Sequence, residues 1–295
     1  MIACALCVGD APEPFLTAAL ASIADVVDVL AVNDNSGVPQ SEAMRAIEAS
    51  AFARDGRLRV VRRPFVDFAT MRNDAHEALK ALERAPDWVL FIDADEVHGE
   101  QIRTIARDVL ARLDAGVGQL DAYTYHFFGT FGWISDVARR MAFYRYAPSL
   151  RWVNTVHEKL EGLAGRTVVI PYVYHHYGNV LPPHLLARKH GRYYELGNPV
   201  ERPPDPADAN LEVYLAKAAS VRPYRGGHPI AAQATVARVA RENAAAFAAL
   251  DAGFAARRTP GIRAATALQG LNERLRVALR GIEHPGLYRG PAEAR

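Results

Sequence analysis

The chain has 295 residues, half of them hydrophobic, and a formal net charge of +2. This length and apolar content suffice for one large domain, or for one domain with a helical extension. So small a net charge does not indicate a nucleic-acid partner, which normally requires a concentrated basic face. The two cysteines, Cys4 and Cys7, have no further Cys or His at zinc-site spacing, so we expect them to be reduced packing residues.

The N-terminal run Met1–Val8 is apolar, but it lacks a basic leading region and a small-residue cleavage site. It therefore predicts a first strand rather than a signal peptide. No uninterrupted apolar run reaches the length needed to cross a bilayer. We expect a cytoplasmic protein, and peripheral contact with the inner face of the cell membrane stays open.

Short apolar runs alternate with amphipathic stretches over the first 115 residues. The predicted strands are residues 2–8, 26–32, 58–61 and 89–92, and the predicted helices are residues 15–23, 42–52, 68–82 and 101–113. Four strand-helix repeats in succession predict an α/β fold with a mainly parallel sheet, because each crossover helix covers one face of the strands it joins.

The pattern changes after residue 115. Between residues 119 and 178, partly alternating segments rich in aromatic residues predict antiparallel or edge strands. A helix is predicted over 185–196, a Pro/Asp linker at 202–206, Ala-rich helices over 209–280 and a frayed tail over 283–295. The predicted organisation is a catalytic domain of residues 1–200, with halves 1–115 and 116–200, followed by a helical region of residues 201–295.

Three carboxylates end the predicted fourth strand: Asp93, Asp95 and Glu96. In open α/β sheets, ligands bind beyond the carboxyl ends of the strands. Two neighbouring aspartates repel each other unless a cation lies between them, and Mg²⁺ and Mn²⁺ prefer oxygen ligands. The alternative is an acidic helix start, since Asp and Glu are favoured in the first turn of a helix.

Five motifs occur in the order found in the inverting glycosyltransferases of family 2, in a bacterial branch that includes lipopolysaccharide-core glucosyltransferase-like proteins. They are Val32–Ser36, Asp67–Asn73, Asp93–Glu96, Val156–Glu158 and His175–Gly178. The resemblance covers about residues 1–200. It implies the GT-A fold, which is Rossmann-like, with a mainly parallel central sheet, helices on both faces and, here, a helical C-terminal extension.

The resemblance also implies the reaction. A sugar would move from a nucleotide diphosphate sugar, with UDP the expected nucleotide, to a hydroxyl of a glycan, lipid-linked or small-molecule acceptor, with inversion. Mn²⁺ or Mg²⁺ would be the cofactor, held by Asp95, with Asp93 assisting and His176 completing the shell. The donor would be bound by Asp34, Ser36, Asp67, Arg72, Asp93, His157, Lys189 and Arg192.

Glu158 is the expected general base, and Asp136 in an aromatic loop is the rival. The structural alternative for Glu158 is a salt bridge with Lys159 or Arg151. His175 is expected to be a packing residue. Glu96 is expected to support the acid cluster or face the acceptor.

The chain departs from the family pattern at Asn33, where an aspartate is usual, and at Cys7–Asp10, where Lys-Asn-Glu is usual. Two other classes of function remain as alternatives. A sugar nucleotidyltransferase also places acids at a strand end, although it normally has a Gly-rich phosphate loop, which residues 8–12 do not form. A non-catalytic carbohydrate-binding protein would not need paired carboxylates together with a base.

Overall fold

The computed structural model describes residues 1–197 and 202–283. It contains two compact units that interleave along the chain. Unit 1 comprises Met1–Ala122 and Arg140–Val169, and unit 2 comprises Tyr123–Arg139 and the described residues from Ile170 onward. The predicted division near residue 200 stays a prediction. The tail that we expected to fray lies, beyond Glu283, outside the described residues.

The described residues form the following elements. The strands are β1 (Ile2–Val8), β2 (Val29–Asp34), β3 (Leu58–Arg62), β4 (Trp88–Phe91), β5 (Glu96–Val97), β6 (Val117–Phe128), β7 (Thr130–Arg145), β8 (Arg151–Val153), β9 (Lys159–Glu161), β10 (Arg166–Asn179) and β11 (Arg222–Pro223). The helices are α1 (Leu16–Ile23), α2 (Glu42–Glu48), α3 (Ala51–Arg54), α4 (Phe68–Lys80), α5 (Ile102–Thr104), α6 (Leu110–Arg112), α7 (Pro183–Glu195), α8 (Glu212–Leu215), α9 (Ile230–Glu242), α10 (Ala244–Arg257) and α11 (Pro260–Glu283). A π-helical segment, Ile105–Val109, joins α5 to α6.

The central sheet of unit 1 has the strand order β3-β2-β1-β4-β7. The first four of these strands pair in parallel, with Ala5 opposite both Ala31 and Phe91, and β4 pairs antiparallel with β7. This arrangement confirms the α/β class with a mainly parallel sheet flanked by helices. The carboxyl ends of β1, β2 and β4 therefore lie at one edge of the sheet, which is where the acid cluster follows β4.

Helix α4 packs on β1 and β2 and carries Arg72 and Asn73. It begins after Asp67, whose carboxylate accepts a hydrogen bond from the Thr70 N–H at 2.7 Å. Buried Ala75 and Leu79 hold its inner face against the sheet. Full burial of a side chain of leucine size stabilises a fold by about 1.5–3 kcal/mol, so this face fixes the helix that presents Arg72.

Unit 2 has its own apolar core, formed by Phe128, Trp133, Tyr214, Leu250 and Phe254 among others. Gly129, between β6 and β7, has a φ of +75° and a Cβ there would lie 3.1 Å from the Phe254 ring, so glycine is required at this turn. None of the described helices is both long enough and apolar enough to cross a membrane.

Several elements differ from their predicted extents, and the helix predicted over 42–52 is divided into α2 and α3. Strand β2 begins at Val29 rather than residue 26, because the Val26 and Val27 N–H groups bond to the Ile23 carbonyl in the turn after α1. It continues past the predicted end at residue 32 through the polar residues Asn33 and Asp34, since both still pair with β1 and β3. The helix predicted over 101–113 is interrupted by the π-helical segment.

Candidate functional site

The acid cluster forms a tight turn directly after β4. The Asp93 N–H donates to Glu96 Oε2 at 3.0 Å, and the Glu96 N–H donates to the Asp93 carbonyl at 3.1 Å. Glu96 is completely buried, whereas Asp93 and Asp95 are half-buried. Glu96 thus shapes the turn, in line with the supporting role expected of it, and Asp93 and Asp95 are the members that reach solvent.

Arg72 links two carboxylates that are far apart in sequence. Its Nη2 lies 3.0 Å from Asp93 Oδ1, and its Nε lies 2.5 Å from Glu158 Oε1. The guanidinium carbon lies 4.4 Å from the centroid of the Phe91 ring and 5.3 Å from that of the Trp152 ring. A guanidinium fork and its affinity for aromatic faces suit arginine to this position. The Arg72 side chain is buried and connects the two carboxylates of the site.

Arg140 on β7 is a second cation of the site, and the sequence analysis missed it. Its Nη2 lies 3.4 Å from Asp93 Oδ2, and its Nη1 lies 3.1 Å from Glu96 Oε1. The sequence did contain one signal for Arg140. It lies two residues before Ala142, which is buried, and alternate residues share one face of a strand, so an inward-facing arginine could have been predicted. The signal does not identify the carboxylates that Arg140 contacts.

The electrostatics of this group keep Asp93 ionised. Burial alone would raise the Asp93 pKa, but the charges of Arg72 and Arg140 outweigh it, so the pKa lies below its usual value despite repulsion from Asp95. Burial would likewise lower the Arg72 pKa, yet Asp93 and Glu158 raise it overall. An ionised carboxylate flanked by two guanidiniums is already neutralised on both oxygens.

Of the three candidate metal ligands, Asp95 is the one whose surroundings best suit a divalent cation. Across residues 1–197 and 202–283, no group of three or more His, Cys, Asp or Glu side chains is placed so that it could hold a metal ion. Asp93, Asp95 and His176 are therefore not brought together as a three-ligand protein site. Mg²⁺ is commonly bound through one or two carboxylates together with substrate phosphates and water, and a half-buried aspartate beside neutralised Asp93 fits that pattern.

Glu158 follows a loop with an unusual backbone. Asn154 and His157 have φ values of 73° and 55°, which place both in the left-handed region. The preceding strand β8 is fixed to α4, because Asn73 Nδ2 donates to the Trp152 carbonyl at 2.9 Å and Asn73 Oδ1 accepts from the Trp152 N–H at 2.8 Å. Asn73 is thus a positioning residue that the motif contained but the sequence analysis assigned no role.

The salt bridge expected as the structural alternative for Glu158 exists with a different cation. Its partner is Arg72, rather than the nearby Lys159 or Arg151. Local spacing could not reveal this pairing, because the two residues are 86 positions apart. His157, beside Glu158, is exposed.

The donor-side candidates of unit 1 have structural partners as well. Buried Asp34 accepts from the Ser36 N–H at 3.0 Å and from Ser36 Oγ at 2.6 Å, and its other oxygen lies 3.5 Å from Arg62 Nε. Asp67 caps α4. Asp34 is thus the last residue of β2, Ser36 lies in the turn after it, and Asp67 caps α4, so that all three lie at the carboxyl-edge side of the sheet.

The remaining candidates belong to unit 2. Asp136 accepts a hydrogen bond from Ser135 Oγ at 3.1 Å, and Lys189 Nζ donates to the Gly178 carbonyl at 3.0 Å. The His176 ring centroid lies 4.6 Å from that of His126. Arg192 is exposed on α7.

His175 shows the packing environment expected of it. It is buried and stacks on Phe127 with a centroid distance of 5.4 Å, and its Nε2 lies 2.9 Å from the Tyr224 hydroxyl. A histidine enclosed in this way contributes to the core of unit 2.

The sequence matches no protein-family model and no curated protein. Solved structures do show likeness. The chain is similar to S. aureus TarS 1-349, with 13% identity, a TM-score of 0.36 and coverage of 68% of this chain and 67% of that one, and TarS was also crystallised with UDP. It is similar to glucosyl-3-phosphoglycerate synthase from Mycobacterium tuberculosis in complex with Mn²⁺, UDP and glucosyl-3-phosphoglycerate, with 18% identity and a TM-score of 0.30.

The likeness to the synthase covers 42% of this chain and 44% of the synthase chain. A third is to the 4-diphosphocytidyl-2C-methyl-D-erythritol synthase of Anaerococcus prevotii, with 14% identity, a TM-score of 0.33 and coverage of 49% of this chain and 70% of that one. These TM-scores are all below 0.5, so the case for a function rests on the residues of this chain.

Proposed function

We propose that this chain is a metal-dependent inverting glycosyltransferase of family 2, with a GT-A fold and a nucleotide diphosphate sugar, UDP-linked, as its donor. The observation that carries the proposal is the network in which buried Arg72 joins Glu158 to Asp93 at the carboxyl edge of a parallel sheet, with half-buried Asp95 two residues further on. A half-buried aspartate beside a carboxylate that two guanidiniums neutralise suits a Mg²⁺ or Mn²⁺ ion whose other ligands are donor phosphates and water.

Each residue has a distinct role in this proposal. Asp95 would hold Mn²⁺ or Mg²⁺, which when bound neutralises the leaving diphosphate as a Lewis acid. Asp93, fixed and ionised between Arg72 and Arg140, would accept hydrogen bonds from the donor ribose. Glu158, held by Arg72 Nε through one oxygen, keeps its second oxygen for the acceptor hydroxyl.

Inversion is the stereochemical outcome that these roles imply. A carboxylate that takes the proton of the acceptor hydroxyl allows that oxygen to attack the anomeric carbon directly, and a single displacement inverts the centre. Asp136 of unit 2 is the rival base. The glycan or lipid-linked acceptor and a cytoplasmic, membrane-peripheral location belong to the same proposal.

Nucleotide binding tests the proposal. The full chain is titrated with UDP, GDP and CDP, with and without Mn²⁺, and binding is followed by calorimetry and thermal stabilisation. We expect one nucleotide diphosphate to bind in a Mn²⁺-dependent manner, and Asp95→Asn to remove that dependence. Asp108→Asn, on an exposed carboxylate of the π-helical segment, is the matched control and keeps it.

The catalytic part of the proposal is tested with nucleotide sugars. Mn²⁺-dependent release of the nucleotide diphosphate from one of them is the expected result. Absence of binding by every nucleotide diphosphate, with or without metal, overturns the proposal. Formation of a nucleotide sugar from a nucleoside triphosphate and a sugar phosphate would assign a nucleotidyltransferase instead.

A further inference from the structure

Helix α11, the longest described helix of unit 2, exposes a stripe of large apolar side chains. The stripe consists of Leu268, Leu271, Leu275, Leu279 and Ile282, whose exposed fractions run from 46% for Leu271 to 79% for Ile282. Spacings of three and four residues place all five within an arc of about 80° on a helix with 3.6 residues per turn. Scattered exposed apolar residues are ordinary, but five on one helix face form a surface.

The opposite face of α11 already holds the helix to unit 2. Thr266, Glu273 and Val277 are buried, and Glu273 forms an ion pair with Arg222 of β11. On the same helical wheel this buried face lies about 180° from the centre of the stripe. The stripe is therefore not needed to attach α11, and it stays at the surface when the buried face is packed.

Arginines border the stripe on both sides. Arg274 and Arg276 are exposed and lie about 100° to either side of its centre. Within residues 1–197 and 202–283, neither has a carboxylate at ion-pair distance, whereas Arg280 is paired with Glu283. The border of the stripe thus carries uncompensated positive charge.

We propose that this face of α11, the leucine stripe with Arg274 and Arg276, binds an anionic lipid surface. An amphipathic helix of this kind lies in the plane of the interface, with its apolar side chains below the headgroups and its arginines against the phosphates. The inference names the surface behind the membrane-peripheral location proposed above, and its test does not depend on glycosyl transfer.

The charges favour a lipid surface over a second copy of the chain. A two-fold pairing of stripes centred on Leu275 would bring Arg274 and Arg276 of one copy against the same residues of the other. Like charges opposed in an interface disfavour association. Anionic headgroups are complementary to the same arginines, so we commit to the lipid occupant.

Vesicle flotation of the full chain tests the inference. Vesicles of phosphatidylcholine alone are compared with vesicles of equal parts phosphatidylcholine and phosphatidylglycerol. We expect binding to the anionic vesicles only, weakening with added salt. Leu275→Gln with Leu279→Gln should lower the apparent affinity about tenfold or more, and so should Arg274→Gln with Arg276→Gln.

Val38→Gln with Val66→Gln alters two exposed apolar residues of unit 1 and is the matched control, which should bind as the unaltered chain does. Circular dichroism and thermal midpoints verify that the variants are folded. Failure of the unaltered chain to float with anionic vesicles, or undiminished binding by the leucine variant, overturns the proposal. Dimers in solution that the leucine variant abolishes, without vesicle binding, would assign the stripe to a second copy.

Discussion

Arg72 satisfies two carboxylates with one guanidinium and is itself enclosed by Phe91 and Trp152. Its removal leaves Asp93 and Glu158 without this cation in a largely buried setting. Breaking one side of a buried ion pair typically costs about 3–5 kcal/mol. We expect Arg72→Met to lower the free energy of unfolding, measured by urea denaturation, by that amount.

Arg72→Lys should lie between Arg72→Met and the unaltered chain, because a lysine keeps the charge but not the fork. Arg84 pairs with Asp87 at the surface, and its replacement by Met should change the free energy of unfolding by less than about 1 kcal/mol. Equal losses at both positions would contradict the role of Arg72 as the hub of the network.

Amide substitutions show whether Glu158 or Asp136 is the general base. Glu158→Gln keeps an acceptor for Arg72 Nε but cannot take a proton, so we expect kcat to fall about 10²–10⁴-fold with the Kd for the donor retained. Asp136→Asn should leave kcat within a few-fold of normal. The reverse pattern, measured by steady-state transfer and donor titration, would move the base to Asp136.

The chemistry of the site residues could be foreseen better than their partners. Asp93 and Asp95 stood out because acids after a buried strand are a local pattern, and Arg72 and Glu158 stood out because they lie in motifs of the family that the sequence resembles. That Arg72 meets Glu158 depends on folding across 86 positions. Arg140 meets Asp93 across 47 positions. Pairings of this kind are set by tertiary packing, which a local pattern does not encode.

At the scale of elements, the loop before Glu158 places His157 in the left-handed region, with a φ of 55°. Asparagine tolerates this conformation, whereas a β-branched residue does not, and the cost for L-residues is about 1–2 kcal/mol. We expect His157→Val to lower the free energy of unfolding by about that amount relative to His157→Asn, measured in urea.

The same pair of variants tests the donor role proposed for His157. If the imidazole contacts the donor, His157→Asn weakens nucleotide binding although its stability is nearly normal. Unchanged donor affinity in His157→Asn would restrict His157 to a backbone role. Equal stability of the two variants would contradict the strain argument.

Element positions followed from the sequence wherever one local signal dominated. The run 2–8 predicted β1 at its observed bounds, because Gly9 and Asp10 end it. Strand β2 passed through Asn33 and Asp34, since pairing with both neighbouring strands outweighed their turn preference. The π-helical interruption before α6 left no local signal that we could read.

At the scale of the whole molecule, histidines that folding keeps neutral should make stability fall between pH 6.5 and about 4. Burial lowers the pKa of His76 to about 4, with Lys80 assisting, and lowers that of His98 to about 3. In unit 2, burial lowers the pKa of His228 to about 4. Each unfolded imidazole takes up a proton near pH 6.5, whereas the folded one does not until far lower pH.

The sign of the effect follows from this difference. Below pH 6.5 the unfolded state binds more protons than the folded state does. The contribution of each histidine to stability is therefore complete above pH 6.5 and is lost as the pH falls towards the pKa of the folded state. For His76, the shift from 6.5 to about 4 corresponds to roughly 3 kcal/mol. Urea denaturation at a series of pH values should therefore show stability falling from pH 6.5 downward.

His76→Gln tests the assignment, because the amide can still bond to the Tyr144 hydroxyl that His76 contacts. This variant should lose less stability between pH 6.5 and 4 than the unaltered chain, by up to about 1.4 kcal/mol per pH unit. His184→Gln, at an exposed position of α7, is the control and should keep the original slope. Since His76 lies one helical turn from Arg72 on α4, a flattened slope would assign part of the acid sensitivity to the helix that carries Arg72.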